Sequence, residues 1–197
     1  MSNQNQSWGI LPTQQDEDNT RAHAVSDPAG YHAGIAGREL HWFDGNTQSW
    51  ISQTDTGEWT GWHDRDASSA HADASWQPWS HPLDDSLAPY YRWFVDGQTN
   101  ACFNLIDRHV LSGRGDQIAI IFEGDRWDPS KNDGRGGPVH EQRVTYRELL
   151  VEVALRTRVL KQADLSCGDR VALNLPNVLE QIFYILACQR LGVIYTP

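Results

Sequence analysis

Apolar residues recur along this chain in two different ways. Behind Asp27-Pro28, the residues Tyr31, Ile35, Ala36, Leu40 and Phe43 stand at helical spacing. Asp27 is placed to cap free backbone N–H groups and Pro28 suits the first helical position, so a helix is expected over about 28–42, ended by Asp44-Gly45-Asn46. From 47 to 89 no period is sustained. Trp50, Trp59, Trp62, Trp76 and Trp79 are scattered among Gly, Asp, Ser and His, which reads as an irregular, loop-rich segment. The block Tyr90–Val95 is stopped by a turn at Asp96-Gly97. Further on, Ile118–Phe122 is a short apolar run of strand type, and residues 125–142 are a long Gly/Pro/Asn/Asp-rich turn. Thr145-x-x-Glu148 is a capping box ahead of Leu149, Leu150, Val153, Ala154 and Leu160, an amphipathic helix to about Gln162. Gly168-Asp169 precedes an alternating strand at Val171, Leu173 and Leu175. Pro176-Asn177 opens a helix over Val178–Leu191, apolar nearly all round, with Gly192 as a left-handed cap. Val193–Thr196 begins another strand. The order strand, long turn, helix, strand, helix, strand predicts an α/β unit with a parallel sheet, preceded by an aromatic-rich N-terminal segment.

Composition divides the 197 residues at about the same place. Residues 1–100 carry 14 acidic and 4 basic side chains and eight of the nine tryptophans; residues 101–197 carry 12 of each charge. Residues 1–25 are polar and acidic and are expected to be disordered or loosely draped. A net charge of −10 with two lysines offers no basic stripe for nucleic acid. Apolar runs such as Ile182–Cys188 are far below the roughly 18 residues of a membrane span, so no membrane partner is expected. Cys102, Cys167 and Cys188 lack CxxC spacing and read as reduced thiols of a cytoplasmic protein.

Candidate chemistry is sparse. Gly134–Pro138 is glycine-rich, but no GK[ST] follows it and a strand-like stretch comes before the next helix, so it is read as a loop rather than a phosphate cradle. Arg114-Gly115-Asp116 is read as a turn. Asn5-Gln6-Ser7 is a sequon without a secretory route. His63, His71 and His81 with Asp64, Asp66 and Asp73 lack metal-ligand spacing and read as a solvated acidic loop. The tryptophans are read as anchors pinning an irregular segment to a neighbouring domain, with sugar stacking as the alternative. For Asp107-Arg108-His109 a structural role is expected, the Asp capping a helix and the Arg pairing with a carboxylate.

Those three residues also close a longer pattern. Trp93, Phe94, Gly97 and Asn100, followed by Asn104, Asp107, Arg108 and His109, resemble the entry motif of the acetyl-/propionyl-CoA synthetase family, "WF-x-(G/D)G-x-x-N … N-x-x-DRH". The resemblance continues through Asp116–Asp125, Thr145, Tyr146 and Glu148, then Gly168-Asp169, Pro176-Asn177 and Leu186–Gly192. Upstream it includes 27–43, leaving 47–89 as a departure. The resemblance implies the start of an adenylate-forming large domain. Its parent would be an AMP-forming ligase using ATP, Mg²⁺ and coenzyme A to activate a short carboxylic acid. It also implies that residues 26–100 wrap the domain and that 101–197 are its first part. The ATP loop, the ribose-binding acid and the catalytic lysine of such enzymes would lie beyond Pro197. No catalytic, cofactor-binding or metal-binding residue is therefore expected in this chain, and the motif residues read as scaffold. The expected partner is the remainder of the same ligase domain, and the chain alone is expected to be inactive. The alternative is a stand-alone binding or regulatory module docking on a partner ligase. The departure at 47–89 is compatible with the ligase part of a propionyl-CoA synthase-like enzyme.

Overall fold

The computed structural model describes residues 13–45, 49–54, 56, 58–62 and 77–197. The expectations for His63, His71, Asp64, Asp66, Asp73 and Trp76 lie outside the described residues, as does the sequon.

The first described element is α1 (Gln14–Ser26), where a loosely draped tail was expected. Thr13 caps it by accepting from the Asp16 amide, Asp16 and Glu17 stand in the first turn, and Glu17 pairs with Arg21 one turn on. No residue of α1 is buried, so local capping and charge order this polar stretch, helped by the His23 ring set edge-on to Tyr31 at 5.6 Å. Helix α2 (Pro28–Glu39) follows with the expected cap: the Asp27 carboxylate accepts from the Gly30 amide at 2.9 Å.

Next comes a three-stranded antiparallel meander, β1 (Trp42–Asp44), β2 (Ser49–Gln53) and β3 (Trp59–Trp62), where an irregular segment was expected. Both faces of this small sheet are covered. Trp42 and Ile51, opposite each other in register, pack with Ala36 of α2. Phe43 and Trp50, the next pair, face Phe103 on the other side. A strand buried on both faces shows no period of two, which is why the pattern was invisible in the sequence. A second pair, β4 (His81–Asp84) with β5 (Arg92–Val95), is also antiparallel, and Gln77 bridges to Gly97 beyond it.

Residues 101–115 form a helical passage with two π-helical stretches, Phe103–Asp107 and Val110–Arg114. Then β6 (Ile118–Glu123) pairs antiparallel with β9 (Glu141–Thr145). The intervening residues are not a plain long turn but a hairpin of their own: β7 (Trp127–Asp128), the single turn α3 (Lys131–Gly134) and β8 (Gly137–Pro138). Because the chain doubles back here, the strand that leads into the next helix returns beside β6 in the opposite sense, which corrects the expectation of a wholly parallel sheet. Helix α4 (Tyr146–Gln162) begins at β9 with the full capping box: Thr145 Oγ1 accepts from the Glu148 amide at 3.2 Å and Glu148 accepts from the Thr145 amide at 2.8 Å. Strands β10 (Arg170–Ala172) and β11 (Ile194–Thr196) are parallel and are joined through α5 (Leu179–Leu191). Gly192, at φ +71°, ends α5 in the left-handed conformation that glycine adopts without steric cost.

One aliphatic core unites this second half. Leu149, Val153 and Leu160 of α4 meet Leu179, Phe183, Leu186, Ala187, Cys188 and Leu191 of α5, with Val144 and Val193 from the flanking strands. Cys102 and Ile106 reach into the same core from the π-helical passage. That passage therefore touches both regions, with Phe103 on the tryptophan side and Ile106 on the aliphatic side.

Candidate functional site

The motif residues converge where the two regions meet. Asn100, Asn104, Asp107 and His109 are all buried. Asn100 caps the passage by accepting from the Phe103 amide at 3.0 Å. Its amide group donates to the Arg190 carbonyl at 3.1 Å and lies 3.4 Å from that of Gln189. It thus serves the Arg190 carbonyl at the end of α5, one of the last-turn carbonyls that a helix leaves without an intrahelical partner. Asn104, one turn on, reads the backbone of residue 41 from both sides: its Oδ1 accepts from the His41 amide at 2.8 Å and its Nδ2 donates to the His41 carbonyl at 3.0 Å. The same Nδ2 lies 2.8 Å from Thr99 Oγ1 and 3.2 Å from the Asn100 carbonyl, so its two hydrogens are shared among three acceptors. Thr99 Oγ1 in turn donates to the His41 carbonyl at 2.6 Å.

Asp107 does not cap a helix. It forms a two-pronged ion pair with Arg190 of α5, Nη1 to Oδ1 at 3.1 Å and Nη2 to Oδ2 at 2.5 Å, both side chains almost wholly buried. Burial pushes the Asp107 carboxyl above its ordinary value, and the Arg190 charge and hydrogen bonds oppose that rise. For Arg190 desolvation favours proton loss, yet Cys102 and Asp107 outweigh it and hold the guanidinium more firmly protonated. The two-pronged fork is the geometry in which a guanidinium best compensates a carboxylate. Arg108 donates to the Glu39 carbonyl at the end of α2. The His109 ring lies tilted by 44° against that of Tyr146, the first residue of α4, with centres 4.6 Å apart, and Arg114 donates to its Nδ1 at 2.5 Å. An imidazole that accepts at Nδ1 is neutral there, and burial, with Arg114, Arg108 and His41 adding repulsion, lowers its pKa to about 4. His41, buried against Phe103, is lowered to about 4 by desolvation and the Arg108 charge. Cys102, buried beside the ion pair, is pushed up to about 12 by burial and is no nucleophile.

The remaining motif residues stand apart from this cluster. Phe94 packs between Trp42 and Trp79 at a φ of 52°, and half-exposed Trp93 meets His32 edge-on at 5.1 Å. Gly97 is required by space: a Cβ there would lie 2.8 Å from the Trp42 ring and 2.9 Å from the Trp79 Cβ. Thr145 and Glu148 form the capping box. Gly168 takes φ +88° and donates to the Gly192 carbonyl, while Asp169 accepts from Ser166 through amide and hydroxyl and is acidified by those bonds. Pro176 lies exposed before α5, where its carbonyl accepts from the Val178 amide.

Sequence reasoning missed Arg190 as the partner of Asp107. The two are 83 positions apart and no local spacing links them. Arg190 did carry a weak signal as the one arginine in a largely apolar helix.

A cleft of about 260 Å³ opens between β9, α4 and α5. Glu152 pairs there with Arg156, whose guanidinium carbon lies 5.5 Å from the Phe183 ring centre; Arg143 and Glu180 complete a mixed-charge rim. Among the described residues no three His, Cys, Asp or Glu side chains are grouped so as to hold a metal ion, and no helix is long and apolar enough to cross a membrane.

Comparison with known proteins places these features in context. The family model for AMP-binding enzymes matches residues 108–197, and that for the acetyl-coenzyme A synthetase N-terminus matches 67–105. The second match takes in residues 67–89, which the sequence pattern had set apart; residues 1–66 are matched by neither model. The acetyl-coenzyme A synthetase of Methylobacillus flagellatus is 41% identical over 131 residues, covering 66% of this chain and 18% of that protein. That of Mycobacterium bovis is 40% identical over 124 residues, covering 62% and 17%. Among solved structures, the acetoacetyl-CoA synthetase from Streptomyces lividans aligns at TM-score 0.48 and 24% identity, over 60% of this chain and 16% of that one. The chain spans less than a fifth of the length of these curated relatives.

Proposed function

Starting from this chain's likeness to the N-terminal part of acetyl-coenzyme A synthetases, we propose that it is the scaffold portion of an AMP-forming, short-chain acyl-CoA ligase. The parent would join a short carboxylic acid to coenzyme A with cleavage of ATP to AMP and diphosphate. In this reading the 197 residues hold no catalytic group and make no acyl-adenylate alone. Residues 26–100 wrap, and residues 101–197 begin, a domain whose remainder is the natural partner.

One observation supports the reading above others: the motif residues are spent on structure. Asn100 belongs to the stretch matched as synthetase N-terminus, and it bonds to the end of α5 in the stretch matched as AMP-binding. Asn104 and Arg108 bond to backbone groups, and Asp107 pairs with Arg190. The parallel pair β10–β11 supports it further. Val171 and Tyr195 face the core, whereas Ile194 on the opposite side is exposed, and parallel sheets are stable when both faces are covered.

The test is ATP–diphosphate exchange with acetate or propionate and Mg²⁺. The chain alone should give none. Exchange should appear when it is mixed with a separately produced segment of the Methylobacillus enzyme that starts after the matched region. Adenylate formation by the chain alone would overturn the scaffold reading.

A further inference from the structure

Aspartate stands directly before glycine three times, at Asp44-Gly45, Asp96-Gly97 and Asp133-Gly134. Such a pair can rearrange without a partner, because glycine has no side chain to hold its own amide nitrogen away from the preceding carboxyl. The nitrogen bonds to the side-chain carboxyl carbon, and the hydroxyl of that carbon leaves with the amide proton as water. Water then opens the five-membered imide. Attack at the main-chain carbonyl carbon breaks its bond to nitrogen, which leaves the chain running through the former side chain as an isoaspartyl linkage. Attack at the other carbonyl carbon restores aspartate. The water lost is regained, and nothing is oxidised or reduced.

The fold treats the three pairs differently. Asp44 lies in β1, in register with Ser49 of β2, and Gly45 is buried. Gly97 is pressed against Trp42 and Trp79, and its amide donates to the Phe94 carbonyl at 3.0 Å. The Asp96 carboxylate accepts from the Ser80 hydroxyl at 2.9 Å. Asp133 is held by none of these devices. It is exposed in α3, a single turn with no buried residue, and nothing lies within 4 Å of where a Cβ on Gly134 would stand. Among the described residues no hydrogen bond or ion pair engages its carboxylate. Asn132 and Asp133 are both left-handed, at φ 53° and 55°, a conformation unfavourable for L-residues that opening of the turn relieves. One turn closed by the two-residue strands β7 and β8 opens more readily than a meander covered on both faces. We propose that Asp133 is an isoaspartate-forming site, singled out from the three by its local freedom. Ring closure involves two adjacent residues, so the inference needs no free surface and does not rest on the ligase reading.

The whole chain, held folded for several weeks at neutral pH and physiological temperature, tests it. Peptide mapping with electron-transfer fragmentation tells isoaspartate from aspartate at each position. Isoaspartate should accumulate at 133, with positions 44 and 96 slower by about tenfold or more, as expected of more stable local structure. In urea the three rates should converge, because each pair is the same Asp-Gly. Asp133→Glu, at an exposed position, should remove most of the isoaspartate that the folded chain forms. No isoaspartate at 133, equal rates at the three positions in the folded chain, a lead for 133 that persists in urea, or an undiminished total in Asp133→Glu would each overturn the proposal.

Discussion

The two regions of this chain solve the problem of burial differently. Residues 101–197 use one continuous aliphatic core, in which helices of good local propensity lay apolar stripes against each other and the flanking strands. The N-terminal region has short strands and no large aliphatic set. It gathers instead around Trp42 with Ala36 and Ile51, and around Trp50 with Phe43 and Phe103, where the Trp50 and Phe103 rings stack at 3.9 Å. A large ring buries as much area as two aliphatic side chains, so a few of them can order a meander that has little intrinsic stability. The second of these clusters is completed by a residue of the other region. The comparison teaches that the first region is stable largely because it leans on the second.

The contrast can be tested at several points. The largest effect is expected inside the second region from Arg190→Ala, which leaves the buried Asp107 carboxyl without its partner; a loss of about 3–5 kcal/mol in urea unfolding is expected, mostly recovered when Asp107→Leu is added. Trp50→Ala should cost about 3–4 kcal/mol, and hydrogen exchange should accelerate across β1–β3 while α4 and α5 remain protected. Equal acceleration in both regions would contradict the leaning described above. Acid offers a third handle. His41 and His109 have folded pKa values of about 4, below the ordinary 6.5, so the neutral forms are favoured in the folded chain. Their stabilisation is whole above pH 6.5 and is lost as pH falls towards 4, because the unfolded chain takes up protons first. Stability measured across that range should fall, and less steeply in His41→Gln and His109→Gln. The smallest effect sharpens the contrast from the other side: Thr145→Ala should cost about 1 kcal/mol and loosen the start of α4 without touching the meander.

The sequence made the second region more legible than the first, for a physical reason. Helices announce themselves locally: Asp27-Pro28, Thr145-x-x-Glu148 and Gly192 each set an end within a few residues, and the observed bounds of α2, α4 and α5 lie within one to three positions of the expected ones. Strand pairing is decided between distant segments. Nothing near Glu141–Thr145 says that it lies antiparallel to β6, and nothing near Trp42 or Trp50 says that both faces of the sheet are covered. The motif residues could be picked out from their resemblance to a family, but their partners could not, since Asn104 meets residue 41 and Asp107 meets residue 190 across long stretches of chain.

Asn104 also behaves as a substitute peptide group. It offers residue 41 the same donor and acceptor that a neighbouring strand would offer, and it ignores the side chain that residue carries. Position 41 is therefore free to change as far as this contact is concerned, whereas position 104 is not: aspartate keeps the acceptor and loses the donor, and leucine keeps neither. Two regions that evolve at different speeds can stay joined through such a contact, because a main chain has the same two groups whatever its sequence becomes.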